Sequence, residues 1–367
     1  MFPSYKSFWK DVVDAHKAVD ASGDMIMQVA MANGTNSDSK LGAQNGTKIN
    51  GVGGSLGNML PTYFYQFDST DVRRDVTFVP YEIVRDLYGR GHASNIIYDG
   101  KFRRDWITSP SYYMSSGVTS GTNPVTQTPA SNTAIQNFQL NWPLIRFSDV
   151  LLMNAEADNE INNGPSTNAQ SYFKEVSQRG HNGNAALVPT IPIDKTGFFK
   201  LLVRERGLEF GGEGIRKFDL VRWNLLGTAL AETKTNLTNM ALGNAMVAPS
   251  YMAPPPAYTM VNSLPKTMFF YQNVVAETGS SSLSGSQIWA NSFYVTTPTI
   301  IPNDVTVIPA APIAIANRVS WFANTNITTT YVNYIGYGFV TGKSELYPIP
   351  QSSIDANGNL RPQNPGY

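Results

Sequence analysis

The chain of 367 residues contains no cysteine, only three histidines, and charged side chains amounting to 15% of the total. Without cysteine there is no disulfide, no thiolate nucleophile, no cysteine zinc site and no thiol to carry a lipid. His16, His92 and His181 lie far apart, and none has a second histidine at the spacing of a zinc-binding helix, so metal and general-base roles are not expected. No window of 18 apolar residues occurs, and Met1-Phe2-Pro3-Ser4-Tyr5-Lys6 lacks the basic start and apolar core of a secretion signal. The sequence as it stands is expected neither to span a membrane nor to carry an export signal. The 27 basic and 27 acidic residues balance, with no dense Lys/Arg run, which argues against a nucleic-acid partner. No nucleophile elbow, Walker loop or strand-linked dinucleotide fingerprint is present, and Gly51-Val52-Gly53-Gly54 is an isolated glycine-rich turn.

The charge shortage, against roughly 25% in ordinary soluble domains, is local. Ala231 to Val340 holds Glu232, Lys234, Lys266, Glu277, Asp304 and Arg318, six of 54 charges, where even spreading gives about 16. Asn, Ser, Thr, Pro and Gly fill that stretch, with interleaved aromatics, and it reads as long loops and short strands.

What the sequence has in plenty is apolar and aromatic material: 42% hydrophobic, with 18 Tyr, 18 Phe and 6 Trp, enough for a sizeable core. Phe8, Val12, Ala15 and Val19 predict an opening helix, and Asp24 to Ala30 a short buried strand. Tyr63-Phe64-Tyr65 and Thr77-Phe78-Val79 are strand candidates on either side of the charged turn Asp71 to Asp75. Polar loops run from Asn33 to Gly57 and from Ser109 to Asn137. A helix follows Pro143, with Leu144, Phe147, Leu151 and Ala155 on one face and Val150, Leu152 and Met153 widening it, until Asn162-Asn163-Gly164-Pro165 stops it. A partner at about Asn168 to Gln178 should pack antiparallel to it. Further helices are expected over Gly197 to Phe210 and around Ile215 to Leu225.

Two features carry candidate chemistry. Arg204, Glu205, Arg206, Glu209, Glu213, Arg216, Asp219 and Arg222 crowd two consecutive helices. Paired carboxylates could serve a glycosidase, but each has an arginine close in sequence to keep it ionised, and an ion-pair network tying the helices is favoured. The second feature is aromatic. Trp106, Tyr112 and Tyr113 sit in or beside a polar loop, as do Trp289, Tyr294, Trp321, Tyr331, Tyr334 and Tyr337 later. Sugar rings stack their C–H faces on flat aromatics while amides and hydroxyls bind the rest, so this mixture suits a carbohydrate surface. Trp106, Tyr112 and Tyr113 come first among the candidates, then Trp289 and Trp321; any single ring could instead be a core residue.

Three segments in order resemble the SusD/RagB family of cell-surface nutrient-binding lipoproteins: Pro143-Leu144-Ile145-Arg146-Phe147-Ser148-Asp149 through Ala157; Arg204 to Phe210 with Gly214-Ile215-Arg216-Lys217-Phe218-Asp219-Leu220-Val221-Arg222-Trp223; and Leu346-Tyr347-Pro348-Ile349-Pro350-Gln351 through Asn364-Pro365-Gly366-Tyr367. Asp71-Val72-Arg73-Arg74 and Gly100-Lys101-Phe102-Arg103-Arg104 also look like family segments. The resemblance implies a mainly α, SusD-like fold of tetratricopeptide-like helix pairs, long loops and short β-strands. Its divisions would be a loop-rich part at 1–142, a helical scaffold at 143–228, a low-charge loop-rich part at 229–340 and a tail at 341–367. It further implies glycan capture without catalysis or cofactor at the outer-membrane surface, and transfer to a SusC-like, TonB-dependent transporter. Family members begin with a signal, a lipid-bearing cysteine and further helices, so the chain is expected to be the C-terminal portion of a member. The competing expectation is a transporter-docking subunit that captures peptide or another nutrient.

Overall fold

The computed structural model describes residues 1–13, 23–30, 45, 57–68, 70–79, 81–84, 88–91, 96–102, 141–242, 244–255, 267–271, 316–320 and 326–367. Helices dominate, joined by two-stranded antiparallel ribbons. The chain opens in α1 (Tyr5–Ser7), which runs on as a π-helical stretch, Phe8–Val13. Ser4 caps it through its hydroxyl, which accepts from the Ser7 N–H. Tyr5, Phe8, Trp9, Val12 and Val13 are buried together with Val76 and Phe102.

Strand β1 (Met25–Val29) pairs with β6 (Trp142–Arg146) through an irregular register. It forms where the sequence predicts a strand, yet it is not buried: Ile26, Met27 and Val29 are all exposed. The segment around Tyr63 also departs from expectation. It is helical, α2 (Pro61–Phe64), because Pro61 occupies the first turn, where its fixed φ suits a helix. The charged turn likewise holds a helix, α3 (Arg73–Thr77), leading into β2 (Phe78–Val79), which pairs with β5 (Tyr98–Asp99). β3 (Tyr81–Val84) and β4 (Tyr88–Gly91) form the intervening hairpin.

The scaffold is α4 (Phe147–Asn162), α5 (Thr167–Gly180) and α6 (Lys195–Phe210). Asn163 ends α4 in the left-handed region at φ 55°. Ser166 caps α5, accepting from the Ala169 N–H and donating to Asp158 at 2.7 Å, so the turn between the two helices is fixed from both sides. α4 and α5 pack together, and Leu151, Leu152, Ala155, Phe173, Val176, Phe198, Leu202 and Phe210 form their shared core with α6. The helix starts later than its periodicity suggests. Leu144 belongs to β6 and is exposed, because Trp142 to Arg146 pairs with β1, while Val150 and Met153 are exposed on the outer side of α4.

Beyond α6 come α7 (Arg216–Arg222) and α8 (Leu226–Leu242). α8 extends into the stretch expected to be loops and short strands. Leu226, Ala229, Leu237 and Met240 are buried along it, so packing supports a helix there despite several Thr and Asn of low propensity. β7 (Thr267–Tyr271) and β8 (Ala316–Ser320) form a further ribbon. α9 (Thr329–Tyr334) and α10 (Gln351–Ala356) complete the described chain.

Candidate functional site

The loop expected to carry Trp106, Tyr112 and Tyr113 leaves the described structure at Phe102 and returns at Asn141; the three aromatics lie outside the described residues, as do Trp289, Tyr294 and Trp321. What the structure places is the base of that loop. Phe102 stacks on Trp142 with centroids 4.4 Å apart and planes 15° from parallel, so the two flanks are held face to face. Trp9 meets Phe102 edge-on at 5.5 Å.

Both flanks also send a buried cation to one carboxylate. Glu213, just past the end of α6, accepts from Lys101 Nζ at 2.5 Å and from Arg146 Nη2 at 2.9 Å on one oxygen. Its other oxygen accepts from Arg146 Nε at 2.8 Å. Lys101 and Arg146 are buried. The Glu209 carbonyl, in the last turn of α6 where no helical N–H reaches it, accepts from the Tyr5 hydroxyl at 2.8 Å, Lys101 Nζ at 2.9 Å and Arg146 Nη2 at 3.1 Å. Two of these donors are cations at a helix C-terminus, where the peptide dipoles attract positive charge.

The Glu209 side chain is the centre of the network. It is fully buried and pairs with Arg146 Nη1 at 2.8 Å, Arg73 Nη1 at 3.2 Å and Arg179 Nη2. Arg73 is also held by Asp71 at 2.7 Å and Glu205 at 2.7 Å, and Arg179 by Asp24 at 2.7 Å. Gly180 makes room for this packing, since a Cβ there would come within 2.5 Å of Arg73 Nε. A second group stitches three helices: Arg206 binds Asp149 of α4 and Asp219 of α7, and Glu156 of α4 accepts from Arg222 and from the Trp223 indole.

Protonation follows from this packing. Burial alone would raise the Glu209 carboxyl, but Arg179, Arg146 and Arg73 outweigh it and hold the group far below the usual carboxylate range. Burial lowers the Lys101 ammonium to about 8 against the pull of Glu213. Burial also pushes Asp99 up to about 7, opposed by the Lys101 N–H and the Lys101 charge. Asp99 therefore keeps a proton in the folded state that the unfolded chain releases near pH 3.9. Its contribution to stability is fully present below about pH 4 and is lost as pH rises through about 7. Asp99→Asn keeps an acceptor for the Lys101 N–H and removes the titration. The wild-type Tm is accordingly expected to fall relative to the variant between about pH 4 and 7, and a difference independent of pH in thermal scans would refute the assignment.

The mixed-charge residues are therefore structural, as the ion-pair reading expects, but most of their partners are not sequence neighbours. Among the eight, Asp219 alone takes its arginines, Arg206 and Arg222, from nearby in sequence. Arg204 and Arg216 instead donate to the carbonyls of Gln66 and Val203. The cations that meet Glu205, Glu209 and Glu213 are not among the eight; the available signal is the pair Glu205 and Glu209, four residues apart on α6, which share a face and repel unless cations arrive from elsewhere. Of the later tyrosines, Tyr334 and Tyr337 are exposed, while the Tyr331 hydroxyl is enclosed and burial raises it to about 12. His181 is buried, 3.3 Å from the Thr70 hydroxyl; His16 and His92 lie outside the described residues. Among the described residues no cluster of His, Asp and Glu could hold a metal ion.

The SusD family profile matches residues 18–367. The chain belongs to the SusD family. A SusD-like protein, P25, of Formosa agariphila is 37% identical over 90 residues, which are 24% of this chain and 16% of that protein. The structure of a SusD homolog from Bacteroides thetaiotaomicron superposes on all of this chain with a TM-score of 0.56 and 18% identity. This SusD-family chain spans 56% of that homolog's length. Surface glycan-binding protein A from Bacteroides uniformis aligns over 71% of this chain and 48% of its own, with a TM-score of 0.38 and 21% identity. The mainly α architecture is the SusD fold, and the buried charge network ties together the helices of this SusD-family chain.

Proposed function

We propose that this chain captures oligosaccharide at the outer-membrane surface, without converting it, and delivers it to a SusC-like, TonB-dependent transporter. The observation that carries the reading is family membership over residues 18–367, since the family resemblance implies capture of a nutrient glycan at the cell surface. The chemistry agrees. Of the glutamates that a glycosidase would need, Glu205 is buried against Arg73, and Glu209 is buried among Arg73, Arg146 and Arg179, which hold it ionised and leave it no proton to donate. No helix among the described residues is long and apolar enough to cross a membrane.

The ligand surface is proposed on the loop aromatics, led by Trp106, Tyr112 and Tyr113, with Trp289 and Trp321 in support. Stacking supplies affinity and polar loop residues supply selectivity. Isothermal titration against a panel of glycans is expected to find a binder. Trp106→Ala should weaken that binder about threefold to tenfold, the share of one stacking contact. Unchanged affinity in the variant removes Trp106 from the surface. If no glycan gives heat while the transporter is still retained in a pull-down, the role is docking, with peptide or another nutrient as cargo.

A further inference from the structure

An open groove of about 440 Å³ lies between α5 and the segment after the Ala185–Leu187 turn. That volume falls within the range of small-molecule sites, roughly 300–1,000 Å³. One wall is a stripe of α5 with Gln170, Lys174 and Gln178 one helical turn apart. The facing wall is mostly apolar, formed by Val188, Pro189 and Ile191 with Thr190 between them. The stripe is held in place at both ends: Gln170 donates to the Pro165 carbonyl at 3.3 Å and Gln178 to the Gly183 carbonyl at 2.6 Å. Each glutamine keeps its amide oxygen as an acceptor for a hydroxyl. Lys174 is exposed, has no carboxylate partner among the described residues and is the one charged residue lining the groove.

We infer that this groove is a second saccharide site, selective for a sugar that carries a carboxylate. The apolar wall would take a C–H face, the two carboxamides the ring hydroxyls, and the Lys174 ammonium the carboxylate. A neutral sugar satisfies the first two and leaves Lys174 unused, so the carboxylate sets the preference. The groove is built without Trp106, Tyr112, Tyr113, Trp289 or Trp321, and the inference stands apart from the loop-aromatic surface.

Titration with methyl β-glucuronide and methyl β-glucoside, which differ only at C6, tests it by NMR chemical-shift changes. The glucuronide is expected to bind about threefold to fivefold more tightly than the glucoside, the share of one exposed ion pair. Lys174→Gln should remove that preference and leave the glucoside unchanged; Ala185→Trp, which fills the groove from an exposed position, should abolish binding of both. Trp106→Ala should leave glucuronide binding intact. Equal affinity for the two sugars, or a preference that survives Lys174→Gln, overturns the inference. Loss of glucuronide binding in Trp106→Ala but not in Lys174→Gln places the acidic sugar on the loop surface and likewise overturns it.

Discussion

Replacing Glu209 with Gln is expected to lower the free energy of unfolding by about 3–5 kcal/mol, the usual cost of removing one partner from a buried ion pair. The substitution changes almost no volume, so cavity formation does not contribute. It neutralises the one carboxylate shared by Arg73, Arg146 and Arg179 at the centre of the network. Arg73 keeps Asp71 and Glu205, and Arg179 keeps Asp24, while Arg146 is left to Glu213, Ser148 and the backbone carbonyl of residue 209. The carboxamide also turns an N–H pair toward a guanidinium in a fully buried site. Urea unfolding of the two proteins side by side measures the difference. A loss below about 1 kcal/mol would mean that the three arginines are neutralised without Glu209.

Glu213→Gln is expected to cost about 3 kcal/mol or more, for a related reason with a different signature. Here the uncompensated group is chiefly Lys101, whose ammonium lies in a fully buried position and is retained largely through Glu213. Without that carboxylate Lys101 gives up its proton more readily, and the clamp between the segments at 96–102 and 141–146 loosens. The double variant Lys101→Met, Glu213→Gln removes both charges at once and should be less destabilised than the sum of the single variants. A coupling of about 0.5–3 kcal/mol in the double-mutant cycle is the expected result. Additive losses would show that Lys101 and Glu213 do not stabilise each other.

These two glutamates show how far the sequence carries. Positions 205 and 209 can be placed on one face of α6 by counting, and an ion-pair network is the right reading of them and of Glu213, which lies past the end of that helix. Pairing by proximity along the chain fails for all three. Glu205 meets Arg73, Glu209 meets Arg73, Arg146 and Arg179, and Glu213 meets Lys101 and Arg146, each from a separate segment. Proximity does hold for Asp219, which takes Arg206 and Arg222 from its own neighbourhood. Helix periodicity identifies α5 and α6 well, because their apolar faces are continuous and their ends carry recognisable caps. It misplaces the start of α4, since strand pairing with β1 is a long-range event that outweighs the local preference of Leu144.

The candidate ligand surface was legible only as composition: aromatics in polar loops, without geometry. Its base is a tertiary product. The stack of Phe102 on Trp142 and the sharing of Glu213 by Lys101 and Arg146 join residues that no spacing rule connects.

By itself the sequence determined the absence of thiol chemistry, the balance of charge, the family and the main helices of the scaffold, because these depend on residue identity and on neighbours three or four positions apart. Only the tertiary structure decided which cation neutralises which carboxylate, that Asp99 keeps its proton towards neutral pH, and that Lys101 is buried. Those outcomes depend on desolvation and on contacts between distant segments, and both arise only when the chain is packed.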